Sequence, residues 1–325
     1  MQEQPLVVIS GASAGVGRAV AHRFAAGGYS IGLLARDPAG LAATQQELEM
    51  YGVEVAAVSV DVADALAVQE AAQQMEARLG PLTVWINAAM VTVLSPIEQL
   101  SAAEIEHVTQ VTYLGTVHGT LAALSLMRPR NKGLIIQVGS ALAYRAIPLQ
   151  AAYCGAKFAV RGFTDALRCE LLHERSRIRV CMVQLPAINT PQFDWARNKL
   201  PRRPQPVPPI HDPDVAARAI FSVVKHPPRE LWLGWSTIKA IIGQSVMPGL
   251  LDRLLARSAW TGQQTSEPED NEHPDNLFEA QPGLHQIRGR FIGRSKEAAL
   301  AFTSTQVMAV SAVIAVLVGV ILLQF

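Results

Sequence analysis

The chain has 325 residues, of which 28 are basic and 27 acidic, so its formal net charge is +1, and half of its residues are hydrophobic. This length and apolar content suffice for one large α/β domain with an appendage and exclude global disorder, and the balanced charge offers no handle for nucleic acid. Charged residues make up 17% of the chain, against roughly 25% in ordinary soluble domains, so some of the apolar excess is expected in a membrane segment.

The N-terminus has no basic stretch leading into an apolar one, so no cleaved export signal is expected and the chain should start in the cytosol. Pro5–Ser10 reads as a short buried strand. Helix is then predicted over 16–27, strand over 30–35, helix over 38–51 and strand over 53–60. Helix at 64–79, strand at 83–87 and helical stretches over 101–127 follow, then strand at 133–138, helix at 151–175 and strand at 178–185. Strand and helix alternating at this spacing predict an α/β fold with a parallel sheet covered on both faces.

Beyond Leu185 the character changes. Six prolines between Pro201 and Pro213 make a stiff segment that cannot enter a central strand. Asp212-Pro213 predicts a capped helix start, with the helix running to about Lys225, and 230–235 predicts the last strand. From Ile238 to Trp260 the chain is apolar, broken by Pro248-Gly249. Residues 261–286 are polar, acidic and proline-punctuated and read as a linker. No charge occurs from Ala298 to Phe325, and Ser311 is the one polar side chain in Val307–Leu323. About 20 apolar residues span a bilayer core, so a single C-terminal transmembrane helix is expected. Arg288, Arg290, Arg294 and Lys296 just before it predict a tail anchor with the folded domain facing the cytoplasm. The expected division is a catalytic domain over 1–260 with a substrate lid near 191–213, a polar linker and basic juxtamembrane segment over 261–297, and the span over 298–325.

Cys154, Cys169 and Cys181 have neither CxxC spacing nor histidines at ligand intervals, so they are expected to be packing residues, with no metal site and no disulfide framework.

Chemistry is concentrated in a few motifs. Ser10-Gly11-Ala12-Ser13-Ala14-Gly15-Val16-Gly17 joins the first strand to the first helix, where glycines let the backbone approach a pyrophosphate at the helix N-terminus. Asp61-Val62 follows the third strand, Asn87-Ala88-Ala89 ends the fourth, and Ser140 lies thirteen residues before Tyr153-Cys154-Gly155-Ala156-Lys157. Pro186-Ala187-Ile188-Asn189-Thr190 follows the strand at 178–185. Together, over roughly residues 5–237, these resemble the short-chain dehydrogenase/reductase family.

The resemblance implies a Rossmann-type doubly wound sheet and a Tyr-dependent oxidoreductase that interconverts a carbonyl and a secondary alcohol. It implies Ser140, Tyr153 and Lys157 as the catalytic set. For the coenzyme it implies Gly11, Ser13, Gly15, Val16, Gly17, Asp61, Val62, Asn87, Ile188 and Thr190, with Tyr153 and Lys157 touching it as well. Arg36, at the end of the second strand, suits a 2′-phosphate, so NADP(H) is expected with NAD(H) as the alternative, and Asp37 reads as a helix cap. Residues four apart share a helix face, so Lys157 is expected to lower the pKa of Tyr153 towards the range useful for acid–base work.

Phe193 and Trp195 are expected to give the lid an apolar lining, and Arg197, Lys199, Arg202 and Arg203 a basic rim. This favours a small, hydrophobic substrate and, with NADP(H), the reductive direction. Similar enzymes are commonly homo-oligomers built on the helices at 101–127 and 151–175. Ser10, Met90 and Ala187 depart mildly from the family pattern. Thr112 stands where the family commonly has an asparagine that binds a relay water; the relay then runs through the threonine hydroxyl or is weakened. The alternative is a membrane-tethered NADP(H)-binding scaffold or sensor without turnover.

Overall fold

The computed structural model describes residues 4–270 and 275–322, with side chains in the last helix described as far as Val313. The first half alternates regularly. Strand β1 (Leu6–Ser10), helix α1 (Gly15–Ala25), β2 (Ser30–Ala35), α2 (Pro38–Leu48), β3 (Val55–Ser59), α3 (Ala65–Leu79) and β4 (Leu82–Asn87) follow in order. A short β5 (Val93–Leu94) precedes α4 (Ala102–Val108), which passes through a π-helical turn (Thr109–Leu114) into α5 (Gly115–Met127). Then come β6 (Gly133–Ser140), α6 (Ala151–His173), β7 (Ile178–Leu185) and α7 (Gln192–Trp195). Short strands β8 (Arg197–Asn198), β9 (Arg202–Pro204) and β10 (Ile210–His211) lead to α8 (Pro213–Ser222) and β11 (Glu230–Leu233). The chain ends in α9 (Trp235–Val246), α10 (Pro248–Gly262), β12 (Gln264–Pro268), β13 (Ser295–Lys296), β14 (Ala301–Thr303) and α11 (Ser304–Leu322).

The main sheet has eight strands in the order β14-β11-β7-β6-β4-β1-β2-β3. All neighbours run parallel except β14, which pairs antiparallel with β11. Every residue of β1 and β2 is buried because helices cover both faces. Side chains alternate between two cores: Val7, Ile9 and Leu33 pack with Phe24 and Ile220 on one face, and Leu6, Val8 and Leu34 with Met75 and Leu171 on the other. Strand order reverses about β1, whose neighbours are β2 and β4, and the crevice beyond the carboxyl ends of the strands at that point is where such sheets bind ligands.

Local chemistry sets the helix boundaries. Asp37 caps α2 by accepting from the Gly40 amide, Asp64 caps α3, and Ser101 and Glu104 form a reciprocal capping box on α4. Pro248 ends the apolar stretch as one helix and restarts it as another.

Two expectations for the C-terminal part need correction. The described residues of this stretch, 261–270 and 275–297, are not detached from the domain: β12 pairs with β9, β13 pairs with β10, and Leu277 is wholly buried. A polar composition signalled solvent, but here the backbone carbonyls of that stretch satisfy cations of the domain. Among the described residues, the transmembrane helix expected over 298–325 is likewise not shown. Ala301–Thr303 extends the main sheet, so α11 starts only at Ser304, and among the described residues no helix is long and apolar enough to cross a membrane. The end of the expected span, residues 323–325, lies outside the described residues.

Candidate active site

A cavity of about 460 Å³ runs along the carboxyl ends of the strands. One end is formed by Arg36, Asp61 and Val62, the middle by the Gly11–Gly17 turn with Ile188 and Thr190, and the other end by Ser140, Tyr153 and Lys157. Of the residues expected to serve catalysis or the coenzyme, all line this space except Asn87, while Thr112 and the lid cations Arg197, Lys199, Arg202 and Arg203 do not.

Ser140 ends β6, and its hydroxyl accepts from the Leu142 amide at 3.1 Å, which fixes its rotamer beside α6. Tyr153 and Lys157 lie one turn apart near the start of α6, where the Lys157 ammonium sits 5.6 Å from the Tyr153 ring centre and donates to the Val138 carbonyl at 2.8 Å. Burial lowers the Lys157 pKa to about 8. The expectation that Lys157 would make the phenol more acidic is not met. Burial raises the Tyr153 pKa, a hydrogen bond from Ser140 opposes it, and the neighbouring Cys154 raises it further. The phenol therefore keeps its proton at neutral pH.

The turn between β1 and α1 fits a phosphate. Gly11 has φ +73° and presses so closely on Ala89 that a β-carbon would come within 2.7 Å of its Cα, and a β-carbon on Gly17 would come within 2.1 Å of the Gly11 carbonyl. No side chain caps α1 and no acid lies in its first turn, so the positive end of the helix faces the cavity. Arg36 lies at the end of β2, and its guanidinium reaches the carbonyls of Asn276, Leu277 and Phe278. These residues fit a dinucleotide with a phosphorylated ribose.

Asn87 belongs to the scaffold instead. It accepts from the Trp85 indole at 2.8 Å and donates to Thr120 at 3.1 Å and Gln137 at 2.9 Å, tying β4 to α5 and β6 behind the cavity. Thr112 is also turned away: its hydroxyl donates to the Val91 carbonyl at 3.1 Å and accepts from the Val91 amide at 3.2 Å. Its hydroxyl is thus engaged as donor and as acceptor by the Val91 backbone.

Phe193 and Trp195 line the cavity, together with Leu142, Ile147, Val207 and Leu255 from other elements, and Trp195 packs against His285. The basic rim is not free. Arg197 pairs with Asp275 at 2.8 Å and with Glu104 at 3.3 Å, Lys199 with Glu104 at 2.7 Å, and Arg203 with Glu267 at 3.1 Å. Burial alone would raise the Glu104 pKa, but the hydrogen bonds from Lys199 and Ser101 hold it at about 2.

Sequence reasoning missed Asn276, Gln281 and His285 as cavity residues. The one available signal was the apolar pair Leu277-Phe278 inside a polar run. Burial pushes the Cys154 thiol up to about 11 and Cys181 up to about 12, as suits packing thiols, whereas Cys169 is exposed.

Residues 5–200 match the family model described as short chain dehydrogenase. An uncharacterized oxidoreductase of Bacillus subtilis, YxnA, is 29% identical over 284 residues, 86% of this chain and 79% of the relative. A 3-dehydrosphinganine reductase of Danio rerio is 31% identical over 192 residues, 58% of this chain and 57% of that protein. The structure of an alcohol dehydrogenase from the archaeon Thermococcus sibiricus, complexed with 5-hydroxy-NADP, superposes with a TM-score of 0.62 at 28% identity, covering 71% of this chain and 96% of that one.

Proposed function

The chain belongs to the short chain dehydrogenase family, and we propose that it is an NADP(H)-dependent oxidoreductase interconverting a carbonyl and a secondary alcohol, acting as a reductase of a hydrophobic substrate. The observation that carries this reading is that Ser140, Tyr153 and Lys157 meet at one end of a cavity whose other end holds Arg36.

NADPH, when bound, would supply the hydride. Arg36 would hold the 2′-phosphate and the N-terminus of α1 the pyrophosphate, with Ile188 and Thr190 available to the nicotinamide end. Ser140 holds the substrate carbonyl oxygen by a hydrogen bond. Tyr153 gives its phenolic proton to that oxygen as negative charge develops there, while Lys157, one turn along α6, keeps a positive charge at this end of the cavity. Reduction starts from the protonated phenol, the form in which burial holds Tyr153. The apolar wall at Leu142, Ile147, Phe193 and Leu255 supports a hydrophobic substrate. The dinucleotide in the Thermococcus enzyme supports NADP(H), and the 3-dehydrosphinganine reductase supports a ketone as oxidant.

The test is NADPH oxidation by the full chain against a panel of ketones and aldehydes. Tyr153→Phe should lower kcat by about 10²–10⁴-fold while leaving NADPH binding intact. NADPH binding without substrate-dependent oxidation, indifferent to Tyr153→Phe, would instead identify a binding scaffold or sensor.

Exposed apolar side chains on α9 and α10 (Trp235, Leu250, Leu254), on Met247 between them and on α11 (Met308, Val310) support association with a membrane. Deleting 304–325 should move the protein to the soluble fraction. Exposed Leu121 on α5 and Phe158 on α6 support a homo-oligomer through those helices, which light scattering of the purified protein would detect.

A further inference from the structure

We infer that residues 275–291 form the outer wall of the coenzyme site, with Asn276, Gln281 and His285 as coenzyme-facing residues, and that this wall must lift for the dinucleotide to leave. The inference rests on the NADP(H) reading of the cavity.

The segment crosses the crevice from the end of β2 to the loop after β7. At the first end, three successive carbonyls take the Arg36 guanidinium: Asn276 at 2.7 Å, Leu277 at 3.3 Å and Phe278 at 3.1 Å. In the middle, His285 contacts Asp37 at 3.1 Å and lies 5.2 Å from the Trp195 ring, while its carbonyl accepts from buried Arg18. The Gln286 carbonyl accepts from the Gly15 amide at 2.9 Å. At the far end, the Gly289 amide donates to the Asn189 carbonyl at 3.3 Å, and a β-carbon on Gly289 would come within 2.4 Å of the Thr190 carbonyl.

Its anchorage is extensive. Leu277 is wholly buried in the apolar cluster that includes Val62 and Val111. Asp275 is bonded to Arg197 at 2.8 Å, and Arg288 to Asp212 at 2.7 Å, so ion pairs pin both ends. The inward residues Asn276, Gln281 and His285 line the same cavity as Tyr153, so the segment closes over the space without filling it.

Arg36 and the Gly15 amide lie where a dinucleotide's phosphates would be held, so a bound dinucleotide takes these donors from the wall carbonyls. The wall's other anchors, Asp275 to Arg197, Leu277 in its apolar seat and Arg288 to Asp212, still cover the dinucleotide, and these must yield for it to leave. Closure of this kind slows release more than it changes the chemical step.

The test uses the full chain and two variants outside the catalytic set. A methyl at Gly40 would lie 2.5 Å from the His285 ring, so Gly40→Ala pushes on the wall from α2, where alanine favours the helix. Leu277→Ser removes the apolar seat. NADPH release is followed by stopped-flow displacement with excess NADP⁺, and hydrogen exchange over 275–291 is compared with and without NADPH. We expect release to accelerate about tenfold or more in both variants, with KM for NADPH rising and kcat retained, and NADPH to slow exchange over the segment. Unchanged release in both variants, tighter NADPH binding in them, or exchange indifferent to NADPH would overturn the wall. Turnover by a wild-type chain with any of those results leaves the enzyme standing without the wall. A segment that closes over NADPH in a chain without turnover keeps the wall and removes the enzyme. Failure of the wild type to bind NADPH removes both.

Discussion

The Lys157 ammonium lies 5.6 Å from the centre of the Tyr153 ring, yet its hydrogen bond goes to the Val138 carbonyl at 2.8 Å and not to the phenol. A cation held beside the ring rather than at the oxygen does not offset burial, so Tyr153 retains its proton and Lys157 becomes the group that titrates near neutrality.

This sets a pH dependence. Lys157 has a folded pKa lowered to about 8 by burial, so its charge is lost as pH rises through that value. Reductive kcat/KM should therefore be level near pH 7 and fall above about pH 8, and Lys157→Arg should move the descending limb upward wherever the variant remains active. Stability has the opposite sign: between about 8 and the model-peptide value near 10.4, the unfolded chain holds the proton that the folded chain has released, so this residue's contribution rises with pH. A pH–rate profile with no limb between pH 7 and 9 would exclude Lys157 as the titrating group.

Coenzyme choice depends on Arg36, which is part-buried and holds its guanidinium at the cavity end beside Asp61. Replacing it by serine loosens segment 276–278 for either coenzyme, but kcat/KM should fall about 10–100-fold more for NADPH than for NADH, since a charge-assisted contact to the 2′-phosphate contributes roughly 1.5–3 kcal/mol. Steady-state kinetics with both coenzymes decides it; equal losses with the two would assign Arg36 to holding 276–278 alone.

Asn87→Ala should act on stability rather than on coenzyme. It strands the Trp85 indole N–H and removes the links to Thr120 and Gln137 in a fully buried region. We expect a loss of about 2–3 kcal/mol in urea denaturation, with KM for NADPH unchanged in the folded fraction.

Glu104 gives an acid-range prediction. Its carboxylate is buried at 4% side-chain exposure, with Lys199 at 2.7 Å and Arg197 at 3.3 Å, and its pKa is held at about 2. A depressed carboxylate pKa contributes stability that is complete above the unfolded value near 4.3 and is lost as pH falls towards 2, in total roughly 3 kcal/mol. The Tm of the wild type should fall more steeply between pH 4.5 and 2 than that of Glu104→Gln, which should already be lower at pH 7.

Strand and helix positions were legible because their causes are local. Leu6–Ile9 is a continuous apolar run, Asp37-Pro38 is a cap followed by proline, and Pro248 interrupts an apolar helix; each acts through neighbours in the chain. The order of Ser140, Tyr153 and Lys157 was legible for the same reason, since one helical turn brings the last two together whatever the rest of the molecule does.

Tertiary structure decided what those residues experience. Whether the Tyr153 phenol becomes more or less acidic depends on burial and on where the Lys157 proton points, and neither is encoded by a spacing of four. Asn87 left the cavity because Trp85, Thr120 and Gln137 converge on it from three elements. Residues 261–297 read as solvent-seeking by composition, yet their carbonyls satisfy Arg18 and Arg36 from other parts of the chain. Composition counts side chains, whereas the fate of this segment rests on backbone oxygens, which every residue carries alike and which only the fold brings to a buried cation.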